Sequence, residues 1–164
     1  MKNVLIGITL IAVLAGCMKS KDSGQTQDPC VFDTCTYKAP ASEIQAVQQY
    51  LASTNITNAT QHCSGLFYRV ETPGTGKSPK ICSYIKAKYI GRLTNGTVFD
   101  QGTFQEPYEL GGLILGWINS LPMLKEGGKI HLYIPPSLGY GNRATGSIPA
   151  NSILIFEVEL ISVQ

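Results

Sequence analysis

The chain has 164 residues, a formal net charge of +2 and only 15% charged residues. This near-neutral balance, without a stripe of lysine and arginine interleaved with aromatic residues, argues against nucleic acid as a partner. The length allows one domain with a modest hydrophobic core, besides shorter accessory segments.

The N-terminus has the features of a targeting segment rather than of a folded element. Lys2 supplies a positive charge, and the apolar run over residues 4–13 is shorter than the roughly 20 residues that a spanning helix needs. Leu-Ala-Gly then precedes Cys17, a pattern that resembles a bacterial lipobox. We expect residues 1–16 to be a lipoprotein signal peptide, although an ordinary signal peptide or an uncleaved anchor would also fit.

The lipobox predicts where the protein resides. Lipidation of Cys17 would attach the chain to a membrane, because each buried acyl methylene contributes about 0.8 kcal/mol. Met18 follows, where some enteric bacteria use aspartate as an inner-membrane retention signal. We therefore expect a lipid-anchored protein of the bacterial cell envelope, at the outer membrane rather than the inner one.

Four further cysteines, Cys30, Cys35, Cys63 and Cys82, form an even set. In an oxidising compartment such a set predicts disulfides, with three possible connectivities. Cys30 and Cys35 are close enough in sequence to pair, which would leave Cys63 with Cys82. Free thiols are the alternative. A metal site has less support, because the cysteines lack a CxxC pair and a matching histidine spacing, and we expect no metal and no cofactor.

Two accessory segments precede the main domain. Residues 17–40 are predicted to be a polar tether, and residues 41–64 an accessory helical region. The helix spans residues 42–51, where Ser42 can cap it and Ile44, Val47 and Leu51 fall on one face. We expect this helix to pack on the main domain or to help a dimer form.

From residue 65 onward the hydrophobic period changes to two, which indicates strands. Leu66, Tyr68 and Val70 form one alternating set, and the other two sets are Ile85, Ala87, Tyr89 and Ile130, Leu132, Ile134. Asn95-Gly96 is a favoured hairpin dipeptide. The last strand is expected to end at Val163.

One short helix around residues 115–121 interrupts the strands, and Pro122 limits its length. It would bury Trp117, Ile118 and Leu121 against the sheet. The predicted fold class is α+β: a curved antiparallel β-sheet half-wrapped around one short α-helix, preceded by an accessory N-terminal helix.

Five segments in this order resemble the FKBP family of peptidyl-prolyl cis-trans isomerases. They cover residues 89–100, 113–117, 125–129, 134–141 and 148–160, and include Gly116-Trp117 and Gly139-Tyr140-Gly141. The resemblance implies an FKBP-like isomerase domain over residues 65–164, with its site between helix and sheet.

The resemblance also implies the residues of the site: Tyr89, Phe99, Asp100, Leu113, Ile114, Trp117, Tyr140 and Phe156. Trp117 would be the floor beneath a prolyl ring, and the Ile114 N–H and the Tyr140 hydroxyl would donate hydrogen bonds to substrate carbonyls. Asp100 would lie at the rim and order Tyr89. Whether Phe104 or Tyr108 supplies a further aromatic wall stays open. Ile148 could contact the site from a flap. Leu138, where many relatives have an aromatic residue, could soften one edge of the pocket.

The implied function is isomerisation of X–Pro bonds in exported proteins, so proline-containing polypeptides are the expected substrates. The alternative is a chaperone or assembly module that uses the same pocket to bind proline peptides with little turnover. A purely structural lipoprotein is the third possibility.

Overall fold

The computed structural model describes residues 29–164. The predicted signal peptide, the predicted lipidation site Cys17 and most of the predicted tether lie outside this part of the chain. Within it, no helix combines the length and apolar character that a bilayer crossing demands. The elements in chain order are α1 (Ala41–Ser53), β1 (Thr60–Gln61), β2 (Phe67–Thr72), β3 (Tyr84–Arg92), β4 (Val98–Thr103), β5 (Tyr108–Glu109), α2 (Leu115–Ser120), β6 (Lys129–Ile134) and β7 (Leu154–Val163).

The strands form one seven-stranded antiparallel sheet. Its order is β1-β2-β6-β7-β3-β4, and β5 pairs with β3. The predicted period of two holds in β3, where Ile85 and Ala87 are fully buried, and in β6, where Ile130 and Leu132 are buried. β7 ends at Val163, as the sequence predicted. The predicted α+β class, with a short helix on an antiparallel sheet, is confirmed.

The period of two fails at the start of β2. Leu66 and Phe67 are both buried, whereas Val70 is 37% exposed. Phe67 pairs across the sheet with Tyr133, which is also buried although the sequence pattern placed it outward. The cause is α1, whose Tyr50 ring lies 6.4 Å from that of Tyr133. Helix α1 therefore covers the second face of the sheet where the start of β2 pairs with β6.

The helix α1 has the predicted apolar face but not the predicted cap. Ile44, Val47 and Leu51 are its buried residues. The helix begins at Ala41 after Pro40, and Ser42 lies inside its first turn without a side-chain capping bond. A Glu43 carboxylate oxygen accepts a hydrogen bond from the Ser137 N–H at 2.9 Å. The predicted packing of α1 on the main domain is thus confirmed, and its role in a dimer stays a prediction.

Two disulfides join the N-terminal segment to the body: Cys30–Cys82 and Cys35–Cys63, with Cα–Cα distances of 5.2 and 5.4 Å. The expected pairing of Cys30 with Cys35 is wrong, and so is the free-thiol alternative. A turn at Asp33, closed by the Thr36 N–H and the Cys35 N–H, separates the two cysteines. Each then meets the loop that the tertiary fold brings beside it.

The helix α2 lies against β6. Trp117 and Ile118 are buried in it, and Leu121 is buried in the 3-10 turn that follows and contains Pro122. A Cβ on Gly116 would overlap the Ile134 side chain, so this glycine permits the close approach of helix and strand. The Ser120 hydroxyl donates to the Gly116 carbonyl at 2.7 Å. The helix thereby fixes the depth at which Trp117 lies.

The predicted hairpin at Asn95-Gly96 connects β3 to β4 through the five residues 93–97, with Thr94, Asn95 and Gly96 at its tip. The Gly96 N–H donates to the Leu93 carbonyl, and the Leu93 N–H to the Thr97 carbonyl, both at 2.9 Å. Gly96 has a φ of 86°, which glycine adopts without a steric penalty. The Asn95 side-chain oxygen accepts a hydrogen bond from the Thr97 N–H at 3.0 Å.

We expect Asn95→Pro to lower the free energy of unfolding by about 2 kcal/mol, because proline restricts the preceding Thr94 to extended backbone and removes the Asn95 acceptor. Asn95→Ala is the matched control, since it removes only the acceptor and should cost about 1 kcal/mol. Circular-dichroism melts of the three proteins measure the difference. A proline variant that melts with the wild type would contradict this description of the turn.

Candidate functional site

A cavity of about 510 Å³ opens between α2, the sheet and the loop that precedes β7. Every residue predicted for the site lines it: Tyr89, Phe99, Asp100, Leu113, Ile114, Trp117, Tyr140 and Phe156. Phe104, Tyr108 and Ile148, which the sequence left open, also line it, and the structure adds Gly112, Thr145, Gly146 and Ser147. The sequence patterns thus identified side chains from separate elements that lie around one hollow.

Trp117 forms the base of the cavity and is only 3% exposed. Its ring meets those of Tyr89 and Phe156 nearly at right angles, with centroids 5.5 and 5.4 Å apart. Phe99 meets Phe156 in the same edge-to-face way at 5.4 Å. Such pairs favour a fixed geometry beyond simple area burial. The cavity is therefore walled by rings that hold one another in place.

The rim carries one well-defined polar contact. The Tyr89 hydroxyl donates a hydrogen bond to Asp100 Oδ2 at 2.8 Å, as the resemblance implied. Burial, and secondarily this hydrogen bond and the negative charge of Asp100, raise the pKa of Tyr89 to about 12. The phenol carries its proton at neutral pH, as an unshifted tyrosine also would, and its hydrogen bond holds the Asp100 carboxylate at the cavity edge.

Two donors predicted for substrate carbonyls lie at the cavity. Ile114 directly precedes α2, and its carbonyl accepts the Trp117 and Ile118 N–H groups. Within residues 29–164 its own N–H has no recorded acceptor, as is usual where a helix begins. Tyr140 is 40% exposed, in a turn whose flanking Gly139 and Gly141 N–H groups both donate to the Pro136 carbonyl.

Phe104 and Tyr108 both line the cavity, which resolves the question of the further aromatic wall. Phe104 is the inner ring, 5.5 Å from Tyr89 and 6.0 Å from Trp117. Tyr108 is the outer ring, 5.9 Å from Phe104 and 49% exposed. Sequence reasoning did not assign either to the site, because neither belongs to the five matching segments.

The loop before β7 forms a flap at the cavity. Thr145 and Ile148 exchange two backbone hydrogen bonds of 2.9 Å, and Ile148 is buried and lines the cavity. Leu138, by contrast, is 2% exposed and is not among the lining residues. Its side chain belongs to the core, and the expectation that a leucine at this position softens an edge of the pocket stays a prediction.

The part of the chain from residue 29 onward contains one group of three potential metal ligands: Cys35, His62 and Cys63. None of them lines the cavity, and the two sulfurs are bonded to each other. The cavity itself offers shape, apolar surface and a few hydrogen-bond donors.

Gly91 leaves the space in which the rings of Phe99 and Phe156 meet. A Cβ at this position would lie 2.5 Å from Phe99 Cζ and 2.9 Å from Phe156 Cε1. Gly91 pairs with Asp100 of β4 and with Phe156 of β7, so it lies at the centre of the strands that carry the walls. A larger residue would have to separate the two rings.

We expect Gly91→Ala to lower the free energy of unfolding by about 1–3 kcal/mol, because the added methyl overpacks the two rings. Gly102→Ala is the matched control, since its Cβ would have only the Tyr89 hydroxyl near it, at 3.9 Å. Denaturant unfolding of both variants measures the effect. Equal stability of the two alanine variants would refute a packing role for Gly91.

Comparison with known proteins agrees with this geometry. A sequence profile described as "FKBP-type peptidyl-prolyl cis-trans isomerase" matches residues 76–161. The chain is 41% identical over 104 residues to the FKBP-type peptidyl-prolyl cis-trans isomerase FkpA of Aeromonas hydrophila, covering 62% of this chain and 39% of that protein. It is 44% identical over 105 residues to a probable FKBP-type isomerase of Haemophilus influenzae, covering 62% and 44%. The matched region thus spans about two fifths of these relatives.

Solved structures show the same similarity. The crystal structure of FkpA from Escherichia coli aligns with a TM-score of 0.67 at 34% identity, over 76% of this chain and 60% of that one. A peptidyl-prolyl cis-trans isomerase from Pseudomonas syringae pv. tomato aligns with a TM-score of 0.64 at 31% identity, over 77% of this chain and 98% of that one.

Proposed function

The chain belongs to the FKBP-type peptidyl-prolyl cis-trans isomerase family, and we propose that it isomerises X–Pro bonds in polypeptides. The convergence of the predicted side chains on one aromatic cavity carries this proposal. Rotation about an X–Pro bond breaks no covalent bond, but it must overcome amide resonance, with a barrier of about 18–20 kcal/mol. A catalyst of this reaction needs no nucleophile and no metal. It needs a surface that fits the twisted amide better than either planar form.

The cavity supplies such a surface. The prolyl ring would rest on Trp117, between the walls formed by Tyr89, Phe99 and Phe156. A twisted amide has lost much of the charge separation of the planar one, so an apolar cavity disfavours the planar ground state relative to the transition state. The Ile114 N–H and the Tyr140 hydroxyl would hold the flanking carbonyls. Asp100, fixed by Tyr89, would complete the rim without acting as a base, because the reaction removes no proton.

A proline-limited refolding assay tests the activity. We expect Tyr140→Phe to lower the rate enhancement about two- to tenfold, the effect of losing one hydrogen bond. Asp100→Leu should lower turnover with little loss of stability, because Asp100 is exposed. Trp117→Ala should abolish most catalysis, although it also leaves a hole in the core. Tyr84→Phe is the matched control for Tyr140→Phe, since Tyr84 is half-exposed and lies outside the cavity.

The same assay separates the two classes of function that a proline pocket supports. If the wild-type chain fails to accelerate refolding but still binds proline peptides through Trp117, the binding-module function replaces the enzymatic one. If it neither accelerates refolding nor binds such peptides, both are wrong. An unchanged rate in Asp100→Leu would remove Asp100 from the site.

We further propose that the chain acts on exported proteins while anchored through Cys17 in the bacterial cell envelope, at the outer membrane. The Leu-Ala-Gly-Cys pattern after a short apolar run supports the anchor, and the disulfide-bonded body fits an oxidising compartment. The anchor site lies outside the described residues.

Cys17→Ser tests this location. We expect the variant to leave the membrane fraction, because the thioether that carries the acyl chains cannot form. Cell fractionation combined with fatty-acid labelling measures the change, and Cys17→Ser is compared with Ser20→Ala, which keeps the lipobox. A wild-type chain without bound lipid would contradict the proposal but leave the isomerase activity untouched.

A further inference from the structure

A disulfide and a histidine lie together away from the cavity: the bond between Cys35 and Cys63, and the neighbouring His62. Both cysteines are exposed, and His62 beside them is half-buried. The His62 ring nitrogens Nε2 and Nδ1 lie 3.6 and 3.7 Å from Cys63 Sγ. An exposed disulfide is open to attack by thiolates, whereas a shielded one is not. The His62 imidazole lies beside Cys63 Sγ, one of the two atoms of the bond that such an attack would break.

The neighbours of His62 decide which ring nitrogen carries the proton. The Ser64 backbone N–H donates to His62 Nδ1 at 3.2 Å, and the Ser64 hydroxyl, 2.9 Å from the same nitrogen, can donate to it as well. With Nδ1 accepting from Ser64, the ring proton is assigned to Nε2. Burial lowers the pKa of His62, which is the direction that favours the neutral ring. Nε2 lies 3.6 Å from Cys63 Sγ and 3.5 Å from Thr34 Oγ1, and rotation of the His62 or Cys63 side chain can direct the Nε2–H at the sulfur.

We propose that Cys35–Cys63 is a thiol–disulfide exchange site whose leaving sulfur is Cys63. A substrate thiolate attacks Cys35 Sγ and forms a mixed disulfide, while the electron pair of the broken bond stays on Cys63 Sγ. The His62 Nε2–H donates a hydrogen bond to this new thiolate and stabilises it. A second substrate thiolate then attacks the substrate sulfur of the mixed disulfide and expels Cys35.

The reaction balances as a two-electron transfer. Two substrate thiols become one substrate disulfide, and Cys35 and Cys63 become two thiols, with protons exchanged through water. The substrate class is any accessible cysteine thiol, either a small thiol such as glutathione or a dithiol in an unfolded polypeptide. This activity uses no residue of the proline cavity and does not depend on the proposed isomerase function.

The second disulfide, Cys30–Cys82, provides an internal control in the same molecule. Both of its cysteines are only half-exposed, and Cys30 lines a small apolar cavity with Ile118 and Pro122. Its cysteines also lie outside the group that contains His62. It should therefore exchange more slowly.

The test exposes the folded, oxidised protein to excess reduced glutathione at neutral pH, followed by alkylation at timed intervals and peptide mass spectrometry. We expect Cys35–Cys63 to open at least about tenfold faster than Cys30–Cys82, with one oxidised glutathione formed per bond opened. His62→Ala should slow the first rate about tenfold, as expected for the loss of one charge-assisted hydrogen bond, and leave the second rate unchanged. His62→Gln, which restores an N–H donor, should recover part of the rate.

The two rates distinguish the loss of the hydrogen bond from His62 from a general destabilisation of the region around it. If His62→Ala merely destabilised the region, Cys35–Cys63 would open faster rather than slower. Equal rates for the two disulfides, or an unchanged rate in His62→Ala, would overturn the proposal. Replacing glutathione by a reduced dithiol peptide tests the polypeptide source: formation of the peptide disulfide supports a protein substrate, and reaction with glutathione alone restricts the site to small thiols.

Discussion

The antiparallel pairing of β3 with β7 is the constraint on which both the core and the site depend. In this register Gly91 lies opposite Phe156 on one side and opposite Asp100 of β4 on the other. Because side chains alternate between the two faces of a sheet, a slip of one residue would turn Phe156 away from Trp117. The absence of a side chain at Gly91 then leaves room for Phe99 and Phe156 to meet edge to face.

The two faces of the sheet pack against different elements. Leu132 pairs with Phe156 on the face where α2 and the cavity lie, whereas Phe67 pairs with Tyr133 on the face that α1 covers. The accessory helix therefore stabilises the corner of the sheet from behind without entering the site. The carboxylate of Glu43 connects this helix to the Pro136–Leu138 turn, which lies one residue, Gly139, before Tyr140.

The site is built from shape rather than from reactive groups. Its polar contacts hold side chains in position, as the hydrogen bond from the Tyr89 hydroxyl to Asp100 does. The exposed Cys35–Cys63 disulfide and the half-buried His62 beside it lie away from the cavity. A rigid aromatic cavity and an exposed sulfur pair can coexist in one domain because the first needs burial and the second needs access.

The sequence by itself determined the strands around Ala87 and Leu132, the apolar face of α1 and the side chains of the cavity. Each of these follows from a local period or from an ordered set of short motifs. Only the tertiary structure decided the partners of Cys30 and Cys35, the burial of Tyr133 and the places of Phe104 and Tyr108. These features depend on contacts between segments far apart in the chain, such as residue 30 with residue 82 or Tyr50 with Tyr133. A local sequence pattern predicts which face of a strand or helix a residue lies on. It does not predict which distant segment of the chain packs against that face.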